Sequence, residues 1–290
     1  MSAVAESIPR PRSGLSKLIS RHPTMLIGGL VLGLIALLAL FAPWAWTTDP
    51  IALNPVNRLK PISDQFWFGT DMYGRDVYTR TVYGARISLI VGISAAVLSI
   101  FLGLVIGLMA GYYRILDAIL MRVMDGLMAI PGILLAIAMV SLAGASLSIV
   151  VLAITIPEIP RVVRLVRSVV LSVREEPYVE AAIAAGTPIY KVLIRHVLPN
   201  TIPPLIVQAT YVCASAMLTE AILSFLGAGT PPEIPSWGNM MSEGRVYFTL
   251  APWIIFFPGI FLALTVLGVN VLGDGLRDTL DPRIAKRMNA

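Results

Sequence analysis

The chain has 290 residues, 57% of them hydrophobic and 13% charged, with a mean hydropathy of +0.80. A soluble domain carries about 25% charged residues, so this composition excludes an ordinary soluble domain and indicates a membrane protein with several spans. The net charge of +5 is compatible with nucleic-acid binding, but basic cytoplasmic loops of membrane proteins produce the same excess. A single cysteine, Cys213, excludes an intramolecular disulfide and a cysteine-based metal site. No GxxxxGK[ST] run occurs, so the sequence holds no P-loop.

Residues 1–24 read as a basic N-terminal arm. Met25–Trp46 is 22 residues without a charge, enough for a span of roughly 20 apolar residues. The run exceeds the usual signal-peptide core and no A-x-A site follows it, so it reads as an uncleaved anchor. Residues 47–86, rich in Pro, Asp and Asn, form an external segment. Ile87–Tyr113 gives a second span, and Gly126–Pro157 gives 32 uncharged residues that suit one tilted helix or two. Gly144-Ala-Ser-Leu-Ser148 is a turn signal inside that run, after which a helix can continue through Glu158 to about Arg167. Ile202–Thr219 is a further apolar run that continues past Glu220 to Gly229. An external loop at about 229–249 precedes Val246–Gly273, and 275–290 is a polar tail.

The distribution of Lys and Arg decides the count. Six spans with the N-terminus inside place 16 of the 22 basic residues in the cytoplasm and 6 outside, whereas five spans invert the balance to 7 and 15. The positive-inside rule selects six. The sequence therefore predicts an all-α integral membrane protein with six transmembrane helices and both termini cytoplasmic. Its core runs over 87–274, and Tyr178–Asn200 faces the cytoplasm. The basic excess then needs no nucleic acid.

Arg161, Arg164 and Arg167 recur every third residue, the spacing of a voltage sensor. They cluster at one end of a span, beyond Pro157 and Pro160. Snorkelling toward headgroups, with Glu158 as their partner, is the reading this favours. Glu220 lies inside an apolar run, where a carboxylate faces either a path or a hydrogen-bonding neighbour. His22 and His196 have no companion ligands, so no metal site is expected.

Tyr178–Asn200 is a small polar unit in an apolar chain. Glu175, Glu176 and Pro177 read as a helix start. Gly186 suits a left-handed helix end. Thr187 can cap and Pro188 can start a second helix, with Ile189, Val192, Leu193 and Val197 on one face. Pro199, Pro203 and Pro204 read as the end of the unit before the fifth span. A DNA-reading helix-turn-helix has the same outline, but placement between two spans argues against it. Ala181, Ala182, Ala184 and Ala185 permit close approach to a cytoplasmic partner. These residues alone leave a docking tip and a packed loop equally open.

Glu180-Ala181-Ala182, then Gly186, then His196-Val197-Leu198-Pro199 resembles the EAA loop of ATP-binding-cassette (ABC) importer permeases. The general pattern has Ile where His196 stands, and the His-x-Leu-Pro-Asn form is similar to the dipeptide, oligopeptide and nickel branch. Phe68–Leu89, Glu220–Arg245 and Asn270–Arg283 resemble that branch too, and the short N-terminal arm resembles its second, C-type permease. The similarity covers roughly residues 15 to 285. "IPEIPRVVRLVR" departs from the family, which often has an aromatic and Gly-rich approach to these arginines.

The resemblance implies a type I importer transmembrane domain. Two such permeases surround one path, two ATPase subunits bind below, and a solute-binding protein delivers from outside. ATP and Mg belong to the partner ATPases, so this chain holds no cofactor and catalyses nothing itself. Glu180, Ala181, Ala182, Gly186, Thr187, Pro188, His196, Leu198 and Pro199 are the implied ATPase-coupling residues. Glu220, Trp237 and Arg245 are candidates for the path or for the binding-protein contact. Within the branch the solute is a di- or oligopeptide, nickel, glutathione or an opine-like molecule. A stand-alone secondary transporter or channel, using Glu158, Glu220 and the arginines, is the competing class, and a membrane scaffold is a third.

Overall fold

The computed structural model describes residues 23–45 and 47–280, and these are helical throughout apart from turns, loops and one isolated bridge between Thr70 and Asp76. The N-terminal arm, His22, Trp46 and the tail beyond Leu280 lie outside the described residues. In chain order the helices are α1 (Pro23–Leu40), α2 (Val77–Tyr112), α3 (Arg114–Ala129), α4 (Gly132–Ala143), α5 (Leu147–Arg174), α6 (Pro177–Ala184), α7 (Ile189–Val192), α8 (Leu198–Phe225), α9 (Trp237–Gly244) and α10 (Trp253–Leu280). A π-helical turn, Leu193–Val197, joins α7 to α8 without a break.

Among the described residues, three helices are long and apolar enough to cross a membrane: Val77–Tyr112, the continuous Ile189–Phe225, and Trp253–Leu280. The pair α3 and α4 makes a fourth if taken together, although it bends by 86° at Ile130–Pro131. The uncharged run from Gly126, which suits one tilted helix or two, is thus broken near its start as well as at Gly144. Proline disfavours helical backbone in the residue before it, and Ile130 is extended at φ −93°, ψ 127°. The turn expected at Gly144 is present. Gly144 has φ +88°, and the Ser146 hydroxyl accepts from the Ile149 N–H to cap α5.

α2 is the central helix because it is lined with small residues. Gly103, Gly107 and Gly111 recur every four residues along one face and meet Val162, Val166 and Val170 of α5, spaced the same way. A Cβ on any of the three glycines would lie within about 2.6 Å of the facing valine Cβ. Small residues at this spacing let two backbones approach closely when lipid offers no competing hydrophobic gain. α8 packs on α2 through Met217 against Gly92, and α1 packs on α10 through Gly28, Gly268 and Gly275. The bundle has two ends, which we call the strap end (residues 47–76 and 226–252) and the tip end (residues 175–200).

The strap end is tied down by long-range polar contacts. Asp76 caps α2 by accepting from the Thr79 N–H at 3.0 Å. The Trp237 indole donates to the Thr81 carbonyl at 2.9 Å, and the Trp253 indole donates to the Thr70 carbonyl at 3.1 Å. Phe68 stacks on Phe257 at 3.8 Å. Asp71, Arg75 and Arg80, all buried, form an ion network with the partly buried Glu243. Arg75 bonds Asp71 and Glu243 at 2.5 Å each, and Arg80 lies 3.9 Å from Asp71 and 3.6 Å from Glu243. Two cations facing two carboxylates leave it neutral. Burial pushes the Glu243 carboxyl up from the usual range, and the Arg80 and Arg75 cations pull it back.

Candidate functional site

The tip begins where α5 ends. Glu176 stands at the N-cap of α6 with Pro177 at its first position, as a helix start requires. Gly186 has φ +78°, a conformation that disfavours a Cβ. It lets the Gly186 N–H reach the Ile183 carbonyl at 2.9 Å and the Thr187 N–H reach the Ala182 carbonyl at 3.1 Å. Those two bonds close α6 in the manner of a glycine-terminated helix.

The second half of the unit differs from expectation in two ways. Thr187 makes no capping bond, and the N-cap of α7 is Pro188, one position earlier than its expected place as the first helical residue. Pro199, Pro203 and Pro204 do not end the unit, for the helix runs through all three into α8. The π turn explains the first of them. The Leu198 N–H bonds the Leu193 carbonyl five residues back, so the chain is already in a wider turn where Pro199 removes a donor. The wider turn also keeps Val192 and Val197 on one face although they are five apart. Both are fully buried with Val179 against Val170 and Val173 of α5.

These valines hold the unit against the bundle and leave its outer surface open. Glu180, Ala181, Gly186 and Pro188 are exposed, Ala182, Thr187, His196 and Leu198 are half-buried, and Pro199 is exposed. No described atom outside Gly186's own neighbourhood lies within 4 Å of where its Cβ would stand. His196 packs at 6.1 Å from the Tyr178 ring. The Asn200 amide donates to the Tyr178 hydroxyl at 3.2 Å and to the His196 carbonyl at 2.7 Å. This Tyr178–His196–Asn200 clasp ties α6 to the π turn. Glu180, Lys191 and Arg195 have no ion-pair partner among the described residues, and Lys191 lies 6.0 Å from the Tyr190 ring.

The arginines of α5 are not directed to headgroups alone. Arg161 pairs with Glu158 at 3.4 Å, as expected, but Arg164 pairs with Asp125 at 2.6 Å and Arg167 forks onto Asp117. Asp117 and Asp125 are eight residues apart on one face of α3, and that helix had no role in the sequence reading. Among the residues expected at the path or the binding-protein contact, only Arg245 is exposed, over the Phe225 ring at 5.5 Å. Glu220 is fully buried, with the Ser224 hydroxyl donating to it at 2.8 Å. Trp237 is also fully buried, because the absence of a Cβ at Gly84 lets the indole lie against α2. A fully buried indole has no surface to offer the contact expected of Trp237, and it anchors the strap to α2 instead.

Residues 99–286, which contain the whole tip, match the family described as the binding-protein-dependent transport system inner membrane component. Residues 17–61 match the N-terminal transmembrane domain of oligopeptide transport permease C. The chain belongs to the binding-protein-dependent transport system inner membrane component family, and is a transport permease rather than an enzyme. Among its relatives, a probable peptide ABC transporter permease of Sinorhizobium fredii is 58% identical over 271 residues, covering 93% of each chain. A putative peptide transport system permease of Brucella abortus is 47% identical over 266 residues, covering 92% of this chain and 90% of the relative. The inward-facing MetNI methionine ABC transporter shares the fold at TM-score 0.54 and 19% identity, over 70% of this chain and 96% of that one.

Proposed function

We propose that the chain is one of two permeases of an ATP-driven importer for di- or oligopeptides in a bacterial inner membrane. It crosses the membrane six times with both termini in the cytoplasm. α1, α2, the bent α3–α4 pair, α5, α8 and α10 supply the spans, and the tip faces the cytoplasm. The Lys and Arg distribution supports this orientation, and the peptide assignment rests on the named relatives.

The observation that carries the mechanism is an exposed small-residue helix and a left-handed glycine, pinned to α5 by buried valines. That arrangement suits a rigid peg in a partner's groove. Two ATPase subunits hold ATP and Mg and receive the tips of this permease and a second one. Glu180, Ala181, Ala182, Gly186, Thr187 and Pro188 form the inserted surface. His196, Leu198 and Pro199 pass its movement into α8. Closure of the ATPases on ATP moves both tips together and turns the path toward a solute-binding protein outside. ATP shifts the equilibrium by its differential affinity for the two states.

Reconstitution of the full assembly tests this. Glu180→Lys and Gly186→Pro should abolish uptake and uncouple ATP hydrolysis while the protein still inserts. Normal uptake by both variants would overturn the coupling role.

A further inference from the structure

α8 presents one exposed or half-exposed stripe along its length, through Asn200, Gln208, Tyr211 and Ser215 and then Leu218, Ile222 and Phe225. Its polar members, Asn200, Gln208, Tyr211 and Ser215, lie toward the tip end among Pro203, Pro204 and Val207, and from Leu218 to the strap end it is apolar. A cavity of about 510 Å³ opens on it at the tip end, and a second of about 230 Å³ reaches Tyr211. Arg161 of α5 stands where the polar part stops, with Nη1 donating to the Tyr211 hydroxyl at 3.2 Å.

Arg161 is at the middle of its helix. At 1.5 Å per residue it lies about 21 Å from Leu147 and about 20 Å from Arg174, and Tyr211 lies about 21 Å from Phe225. Its side chain is 48% exposed. With Leu147 at the outer boundary of a hydrocarbon core about 30 Å thick, Arg161 lies inside the core but nearer its inner edge, where a half-exposed guanidinium facing lipid is costly. The face therefore meets water or protein. Its own neighbours leave much of its binding capacity unused. Every hydrogen bond of Arg161 comes from Nη1: two to the Glu158 carboxylate, both at 3.4 Å, and one to Tyr211. Charge-assisted bonds are usually 2.7–2.9 Å, so the Glu158 pair is loose. The Nε–Nη2 edge, which matches a carboxylate bidentately, makes no hydrogen bond to any described residue.

We propose, resting on the importer reading above, that Arg161 is a carboxylate-binding subsite on the wall of the translocation path. Its Nε–Nη2 edge takes the carboxylate of a passing solute. Glu158, 12% exposed at its side chain and held also by the Ser215 hydroxyl at 3.3 Å, is the countercharge when the subsite is empty. Tyr211 orients the guanidinium through its hydroxyl and its ring, 5.7 Å away.

The test uses the complete importer in inverted vesicles. Cys213, the sole cysteine of this chain, is replaced by Cys213→Ser, and Gln208→Cys introduces a thiol in the cavity that reaches Tyr211, leaving Tyr211, Glu158 and Arg161 in place. Anionic and cationic methanethiosulfonates are then applied from the tip side. Both should react, the anionic reagent about tenfold faster because a fixed cation concentrates anions locally. Arg161→Gln should abolish that preference, Arg161→Lys should retain it, and Glu158→Gln should raise it. No reaction in any nucleotide state would show the face sealed against protein and overturn the proposal. A preference unchanged by Arg161→Gln and by Glu158→Gln would overturn it too. Labelling requires no solute movement. A failure of uptake in the unmodified assembly would therefore count against the importer reading, and leave this result to be judged on its own.

Discussion

At the strap end, Asp71, Arg75 and Arg80 are buried, Glu243 is partly so, and the four neutralise one another. At the tip end, Glu180, Lys191 and Arg195 are exposed and form no ion pair with any described residue. The difference lies in what each set of charges is for. A desolvated network is fixed in geometry and cannot lose a member cheaply, so it holds residues 47–76 against α9. Solvated charges contribute little to the fold and stay available to a partner. The same contrast appears in apolar contacts. Trp237 and Trp253 anchor the strap by indole bonds to backbone carbonyls, whereas the tip is held by three small valines and one tyrosine clasp.

The comparison can be broken most sharply at Arg80. Arg80→Met should leave Asp71 and Glu243 sharing Arg75 alone, with one negative charge uncompensated, and removing one partner of a buried ion pair costs about 3–5 kcal/mol. Thermal unfolding in detergent should show a large drop, whereas Lys191→Met at the tip should leave the midpoint in place. Equal, small shifts for the two would end the distinction between the ends. Gly107→Val comes next. The new Cβ would meet the Val166 Cβ at 2.6 Å, and overpacking of this kind costs about 1–3 kcal/mol. Reduced yield and a lower midpoint are expected, and a wild-type midpoint would show that the α2–α5 seam can part.

Gly186→Ala should have a smaller effect on stability and a larger one on coupling. There is room for the methyl group, but φ +78° costs a non-glycine residue about 1–2 kcal/mol. The midpoint should move slightly while uptake per ATP falls. Gly186→Asn, which tolerates that conformation better, should recover part of the coupling. A loss that Asn does not relieve would point to sterics in the partner's groove instead of backbone shape. Smallest of all, Tyr178→Phe removes one exposed hydrogen bond of the clasp, worth under about 1 kcal/mol. A measurable fall in coupling with unchanged unfolding would show that the clasp transmits movement.

The apolar runs gave away the helices, and Gly144 and Gly186 gave away two turns, because a lone glycine beside a polar cluster is a local signal. The bend at Ile130–Pro131 was hidden inside a run with no change of composition. Pro199, Pro203 and Pro204 misled for the opposite reason. Proline is a strong local breaker, but a π turn before Pro199 and the packing of Leu205 and Val212 against α5 outweigh it. The strap network could not be read at all, since Arg75 and Glu243 are 168 residues apart and nothing in either neighbourhood names the other. Trp237 looked like a surface aromatic because its loop is rich in proline. Only the missing side chain at Gly84 shows where the indole goes.

The π turn between α7 and α8 carries one further consequence. It joins the tip to the strap end in a single rod of 37 residues, Ile189–Phe225, about 55 Å long at 1.5 Å per residue. A π turn holds one residue more than an α turn over the same path. If Leu193–Val197 rewound as α-helix, everything beyond it would advance by about 1.5 Å and turn by about 100°, the step of one residue. That motion would swing the Asn200–Ser215 stripe away from its present facing. The π turn is therefore the point in the rod where a change of winding would re-aim the Asn200–Ser215 stripe relative to the tip.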